Sequence, residues 1–259
     1  MAARGWRFWV DRGGTFTDVV ACSPTGELLV DKVLSVQPEQ PGDPAVRAMR
    51  RRLAIAHSAS PIPSALVDEV RLGTTVATNA FLERKGAPTL LLVNSGFADL
   101  LAIGDQHRPE LFAMAIQRPQ PLYQSVLEVR GRLAATGEEM EPLQLDAALE
   151  DQLRQARASG LFSVAVALLH SVVNPVHELQ VGRWLTSLGF VQVTLSHQVS
   201  PLPRLVPRGH TTVLEASVAP VLRRYLQQVQ ADLGDAVPLQ VMQSSGVLCS
   251  PQKLLAKVG

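Results

Sequence analysis

Two acids bracket a pair of glycines and a pair of hydroxyls in the segment Asp11-Arg12-Gly13-Gly14-Thr15-Phe16-Thr17-Asp18. Glycine lacks a Cβ, so consecutive backbone N–H groups can close on an anionic oxygen, and the Thr15 and Thr17 hydroxyls can add hydrogen bonds. A carboxylate beside them, Asp11 or Asp18, can hold hydrated Mg2+. The combination suits a nucleotide phosphate, although a glycine pair also serves a plain hairpin turn. A second polar group, Thr74, Thr75, Thr78 and Asn79, follows Gly73 at the expected start of a helix. Free N–H groups and positive potential favour a ligand there, and helix capping is the competing use of the same side chains. A third group is the loop Gly104-Asp105-Gln106-His107-Arg108-Pro109. The planar fork of Arg108 matches two carboxylate oxygens of a small substrate, and an ordinary surface loop is the alternative.

These groups need elements to position them. Phe8 to Val10 and Phe16 to Ala21 read as a hairpin, and Leu28 to Val33 adds a third strand, which makes an N-terminal meander. Asp43 as cap and Pro44 in the first turn predict a helix over Ala45 to His57, with Arg47, Arg50, Arg51 and Arg52 on a solvated face. Glu69 to Leu72 should be a strand leading into a helix whose apolar face is Val76, Ala77, Ala80 and Phe81, ending by Gly86. Further on, the expected elements are a strand at Leu90 to Val93, a short helix at Gly96 to Ile103, a strand at Leu127 to Arg130, a helix at Asp146 to Ala158, a strand at Phe162 to Leu169, a helix at Pro175 to Leu188 and a strand at Val191 to Leu195. This alternation belongs to a mostly parallel sheet. Glu138, Glu139 and Glu141 fit a solvated turn. Pro201, Pro203 and Pro207 mark a stiff connector and divide the chain into 1–202 and 203–259. Helical spacing then runs to Gly234 with Pro220 expected to kink or split the helix, and Leu239 to Met242 is a strand.

Composition narrows the function. With 24 Lys plus Arg against 23 Asp plus Glu the net charge is +1, which offers no footprint for nucleic acid or an anionic membrane. Cys22 and Cys249 imply no disulfide framework. The seven-residue spacing of His170 and His177 matches no zinc pattern, and neither a Gly-x-Ser-x-Gly elbow nor a Walker A lysine loop occurs. The N-terminus has no signal-peptide core and no apolar run is long enough to span a bilayer, so a cytoplasmic protein is expected.

The form DRGGTFTD resembles the first phosphate-binding hairpin of the actin, sugar-kinase and heat-shock chaperone superfamily, and specifically the N-terminus of the hydantoinase A and 5-oxoprolinase family. Further blocks agree in order: KVLS at Lys32 to Ser35, GTTVATNAFLERKG at Gly73 to Gly86, GFADLLAIG at Gly96 to Gly104, HSVVNPVHE at His170 to Glu178, and PRGHTT at Pro207 to Thr212. The resemblance implies an α/β fold, an actin-like or sugar-kinase-like ATPase lobe with an N-terminal β-meander and a mixed sheet flanked by helices, followed by the truncated start of a second lobe. It implies ATP and Mg2+ as cofactors, used in 5-oxoprolinases to open the lactam of 5-oxoproline to glutamate, in relatives to act on hydantoins or to serve ketone carboxylases. Gly13, Gly14, Thr15 and Thr17 would then cradle phosphate, Asp11 and Asp18 would act in catalysis with Asp11 organising Mg2+ through water, and Thr74, Thr75, Asn79 and Arg108 would face the cyclic amide. A homo-oligomer or a hydantoinase B-type subunit or domain is the expected partner, and a non-catalytic partner-binding lobe is the other reading.

The sequence departs from the family at Ser244-Ser245-Gly246-Val247, where Ser245 stands for an expected Asp and Val247 for an expected Gly. The family's following Ser-Gly-Pro-Ala-Gly-Gly segment does not occur before Gly259. The chain is therefore expected to be an N-terminal part, silent in catalysis by itself, with the helix at Thr211 to Leu233 exposing apolar residues.

Overall fold

The computed structural model describes residues 5–55, 61–105, 112, 114, 115 and 120–256. They form two compact units, Met1–Glu83 with Val221–Lys257, and Arg84–Pro220.

The first unit is built on the expected meander, β1 (Trp6–Arg12), β2 (Phe16–Cys22) and β3 (Leu28–Leu34). Side chains alternate along a strand, so Thr17, Val19 and Ala21 turn inward while Phe16, Asp18 and Val20 face out. Helix α1 (Pro44–Arg52) starts as its cap predicts: the Asp43 side chain accepts from the amides of Ala45 and Val46, and Pro44 fits a position that needs no N–H donor. It ends five residues early, because Leu53 closes it and Ala54 takes a left-handed conformation at φ 51°. Its arginines also depart from expectation. Arg50 is buried and donates to the Asp232 carbonyl, Arg52 pairs with Asp31 at 2.7 Å, and Arg47 reaches the carbonyls of Gln40, Pro41 and Gly42. Only Arg51 keeps the exposed place expected of all four.

A 3-10 turn at Ser64–Leu66 leads into β4 (Val67–Thr74), which lies parallel to β1, and α2 (Val76–Leu82) follows. The second unit opens with β5 (Thr89–Asn94), α3 (Leu100–Ile103), β6 (Ser125–Leu133), β7 (Glu139–Gln144) and α4 (Ala147–Ala158). It continues through β8 (Ser163–Ala167), α5 (Val176–Ser187), β9 (Gln192–Leu195) and α6 (Ser196–Val199). The sheet order is β7-β6-β5-β8-β9, parallel except for the β6–β7 pair. Leu90, Leu92, Val164 and Val166 enter one core cluster, and Leu91, Val93, Ala165 and Ala167 another. Burial on both faces explains why these strands read as unbroken apolar runs. The acidic group is a strand rather than a turn: the turn lies one step earlier, where Gly137 adopts φ 87°, and Glu139 and Glu141 belong to β7.

Helix α7 (Leu205–Leu233) is continuous through Pro220. Its first part belongs to the second unit and the part from Val221 to the first, so the proline-marked segment at 201–207 lies inside a unit. The expected exposure of this helix is not found. Val213 and Ala216 are buried in a cluster of the second unit, and Leu226, Val229 and Leu233 in the core of the first. The chain's own sheets cover them. The helix leads to β10 (Leu239–Met242), β11 (Leu248–Cys249) and α8 (Pro251–Ala256). The first sheet thus runs β11-β10-β4-β1-β2-β3, with β10, β4 and β1 mutually parallel. Their carboxyl ends share one edge. No helix of the described residues is long and apolar enough to cross a membrane.

Candidate functional site

That edge collects two of the groups picked out above. The Gly13 amide donates to the Phe16 carbonyl at 3.0 Å, which closes the β1–β2 turn. Ser35, one residue past β3, braces the turn from inside. Its hydroxyl donates to the Gly13 carbonyl at 2.8 Å and meets Thr17 Oγ1 at 2.8 Å, and its amide donates to the Thr15 carbonyl. Since the Ser35 proton goes to Gly13, the Thr17 hydroxyl must supply the proton of their shared bond. Thr17 is 1% exposed. Its hydroxyl therefore sits in the core side of the hairpin, away from the open turn, and the phosphate role expected for it does not fit this placement. Gly14 and Thr15, by contrast, are exposed at the tip.

The β4-to-α2 junction is tied to the same turn. Thr75 donates from both its amide and its hydroxyl to the Arg12 carbonyl, at 3.0 and 3.1 Å. Asn79, one helical turn on, donates to Thr75 Oγ1 at 3.1 Å. A Cβ on Gly14 would lie 3.0 Å from Asn79 Nδ2, so glycine is what lets the turn and the helix approach this closely. Thr74 stays local, its Oγ1 accepting from the Val76 amide. The helix is not fixed by an apolar face as expected: of Val76, Ala77, Ala80 and Phe81 only Ala80 is buried, and Phe81 is 41% exposed. Hydrogen bonds to the hairpin hold it instead.

Two carboxylates stand on the outward face beside the turn. Asp11 and Asp18 face each other in the β1–β2 register, and Gly73 is the β4 partner of Asp11. Asp11 is exposed, and a side chain at Gly73 would begin 3.7 Å from its Oδ1. Asp18 is held by Lys32 at 3.0 Å, a half-exposed pair worth little to stability. An open carboxylate beside unobstructed space is the donor set a hydrated Mg2+ uses, because this ion keeps most of its waters and takes one or two carboxylates with substrate phosphates. Among the described residues no group of three or more His, Cys, Asp or Glu could form an all-protein cage.

Arg12 supplies a support that sequence reasoning missed. Its side chain turns inward, pairs with Asp43 at 2.7 Å, donates to the Ser35 carbonyl at 3.1 Å and lies 4.4 Å over the Tyr225 ring. Burial pushes the Asp43 carboxyl up from its ordinary value, against the opposing pull of Arg12. Tyr225 is likewise pushed up, chiefly by burial. The one available signal was the KVLS block, which carries Ser35. Arg108 lies outside the described residues.

A second polar cluster occupies the carboxyl ends of β8 and β9. Glu178 is fully buried: its Oε1 accepts from the Leu168 amide at 2.9 Å and the Ser196 hydroxyl at 2.5 Å, and its Oε2 accepts from the His197 amide at 3.0 Å and lies 2.6 Å from His197 Nδ1. Arg208, also fully buried, donates to Ser196 Oγ and to the carbonyls of Leu168, Leu202 and Pro203. Every charged atom here is spent on the chain itself. His177, whose Nε2 lies 2.7 Å from Glu139, is a buried structural residue of the same unit.

A meander whose glycine turn meets the start of a helix at the carboxyl edge of parallel strands makes a mixed α/β lobe with its polar groups at the edge where such sheets place ligands. The chain belongs to the hydantoinase/oxoprolinase family: residues 7–189 match the hydantoinase/oxoprolinase N-terminal region and residues 208–258 the hydantoinase/oxoprolinase domain. It is 37% identical to 5-oxoprolinase 1 of Arabidopsis thaliana over 93% of the chain, and 34% identical to the 5-oxoprolinase of Dictyostelium discoideum over 94%. The crystal structure of the ATP-dependent caprolactamase from Pseudomonas jessenii superimposes with a TM-score of 0.75 at 29% identity over 95% of the chain, which is 36% of that protein. The chain spans 21% and 22% of the length of the two 5-oxoprolinases.

Proposed function

We propose that this chain is the N-terminal part of a cytoplasmic, ATP-dependent cyclic-amide hydrolase of the 5-oxoprolinase type. The observation that supports this most is the meeting of the Gly13–Gly14 turn with Thr75 and Asn79 beside the open carboxylate of Asp11. The names of the relatives supply the substrate class. An unstrained lactam carbonyl is a poor electrophile. Attack of its oxygen on the γ-phosphorus of ATP forms an O–P bond, releases ADP and leaves an O-phosphorylated imidate whose carbon water can add to. The ring C–N bond then breaks, its nitrogen leaving as the amine, and a second water cleaves the acyl phosphate to glutamate and phosphate. Catalysis of this kind rests on alignment and on stabilising the moving phosphoryl group.

In this reading the backbone at Gly13, Gly14 and Thr15 cradles phosphate oxygens. Asp11 would hold Mg2+ through water, and the ion when bound would neutralise phosphate charge; Asp18, paired with Lys32, would support Asp11 from the facing strand. Thr74, Thr75, Asn79 and Arg108 form the side toward the cyclic amide. The N-terminal domain would run over 1–202 and the start of the second domain over 203–259, and a hydantoinase B-type subunit or domain would complete the enzyme. The caprolactamase likeness favours other lactams as a second substrate reading. Gly14→Val in an active assembly containing this chain tests the proposal. The turn does not need a left-handed residue at Gly14, so the hairpin should fold while the side chain meets Asn79, and ATP turnover should fall by about 100-fold or more, as on losing a transition-state donor. Unchanged turnover would refute the phosphate assignment.

A further inference from the structure

The exposed Gly14 amide has no hydrogen-bond partner among the described residues, and its direction is set from inside the hairpin. The Gly13–Gly14 peptide is trans, and a trans peptide holds its C=O and N–H antiparallel in one plane. The Ser35 hydroxyl draws the Gly13 carbonyl inward at 2.8 Å. The N–H of the same peptide, that of Gly14, therefore points out of the open side of the turn.

Ser35 can aim this peptide only while it is itself held. Its amide donates to the Thr15 carbonyl at 2.9 Å, and its carbonyl accepts from Arg12 Nη2 at 3.1 Å. Arg12 is fixed in turn. Its Nη1 pairs with Asp43 Oδ2 at 2.7 Å, the Tyr225 ring lies 4.4 Å beneath the guanidinium, and its carbonyl accepts from the amide and hydroxyl of Thr75. Asp43 is anchored by the α1 cap at Ala45 and by the bond from its own amide to Asp232. All of these residues belong to the first unit. An arginine beside a glycine turn could reach a phosphate directly through its fork. Here the fork is committed the opposite way, into a pair whose side chains are 17% and 4% exposed.

We propose that Arg12 and Asp43 are positioning residues for the phosphate turn: the pair holds Ser35, Ser35 holds the Gly13 carbonyl, and the Gly14 amide is thereby aimed at a phosphate oxygen. The proposal rests on the phosphate reading above and adds that nucleotide affinity depends on a buried ion pair that does not touch the nucleotide. Titration of the chain with Mg-ATP, read at the Gly14 amide, tests it. Asp43→Asn is the deciding variant. Asparagine keeps an oxygen for the α1 cap, so the circular dichroism should not change, but it turns an N–H donor toward Arg12 and releases the guanidinium. The Kd for Mg-ATP should rise about tenfold or more, as when the partner behind a ligand-holding group is lost. An Arg12 that bound phosphate directly would be freed by the same change and would bind tighter. Arg12→Met should weaken binding as much, and Arg12→Lys, which keeps the pair with Asp43 but not the second arm to Ser35, should weaken it less. Arg12→Met combined with Asp43→Asn should be no weaker than either alone, because both remove one contact. Unchanged or tighter binding in Asp43→Asn would overturn the proposal, as would additive losses in the double variant. Absence of saturable shifts at the turn of the unsubstituted chain would overturn the phosphate reading itself, and the proposal with it.

Discussion

At the carboxyl ends of β8 and β9, Glu178 and Arg208 are buried and spend their polar atoms on Leu168, Ser196, His197, Leu202 and Pro203. At the carboxyl ends of β1 and β4, Asp11 is exposed beside a glycine, and the turn between Gly13 and Phe16 presents Gly14 and Thr15 to solvent. Both edges use the position where parallel sheets bind ligands. Saturation distinguishes them. A carboxylate already ringed by donors holds loops together and has nothing left for a ligand, whereas an open carboxylate beside a glycine turn keeps its bonding capacity for one.

The sharpest way to break this comparison is to remove one carboxylate from each edge. Glu178→Ala leaves buried donors without an acceptor and should cost about 3–5 kcal/mol of stability. Asp11→Ala should change stability by no more than about 0.5 kcal/mol, as at an exposed site. Chemical denaturation of both variants checks this, and similar losses would mean that Asp11 is structural too. A smaller effect sharpens the description of the second unit. Glu215 in α7 has its carboxyl pushed up by burial with no opposing charge. A raised value means that the fold favours the protonated form, so this preference stabilises below the unfolded carboxylate range and is lost as pH rises through the folded value. Glu215→Gln should therefore raise Tm modestly at neutral pH, and the gain should vanish below about pH 4. Melting curves at the two pH values decide it, and an equal gain at both would assign the effect to packing.

Much of the architecture was legible in the sequence for physical reasons. Short apolar stretches separated by glycine turns marked β1 to β3, unbroken apolar runs marked β5 and β8 because both faces are covered, and Asp43-Pro44 marked the start of α1. What was hidden depends on tertiary partners. Nothing local shows that Arg12 turns inward to Asp43, that Arg50 is buried, or that Thr17 is spent on Ser35 while Thr15 stays free. The end of α1 was misjudged because its spacing continues past the residue where the backbone turns left-handed. The apolar face of α7 was legible, but its cover was not, since the covering strands lie far away in sequence.

The central claim is that the Gly13–Thr15 turn takes a nucleotide phosphate, and amide NMR of this chain titrated with Mg-ATP tests it most directly. The predicted result is saturable shifts concentrated at Gly13, Gly14, Thr15, Thr75 and Asn79, lost in Gly14→Val, with the amides around Glu178 unmoved. Shifts confined to the Glu178–Arg208 cluster, or shifts at the turn that persist in Gly14→Val, would contradict it.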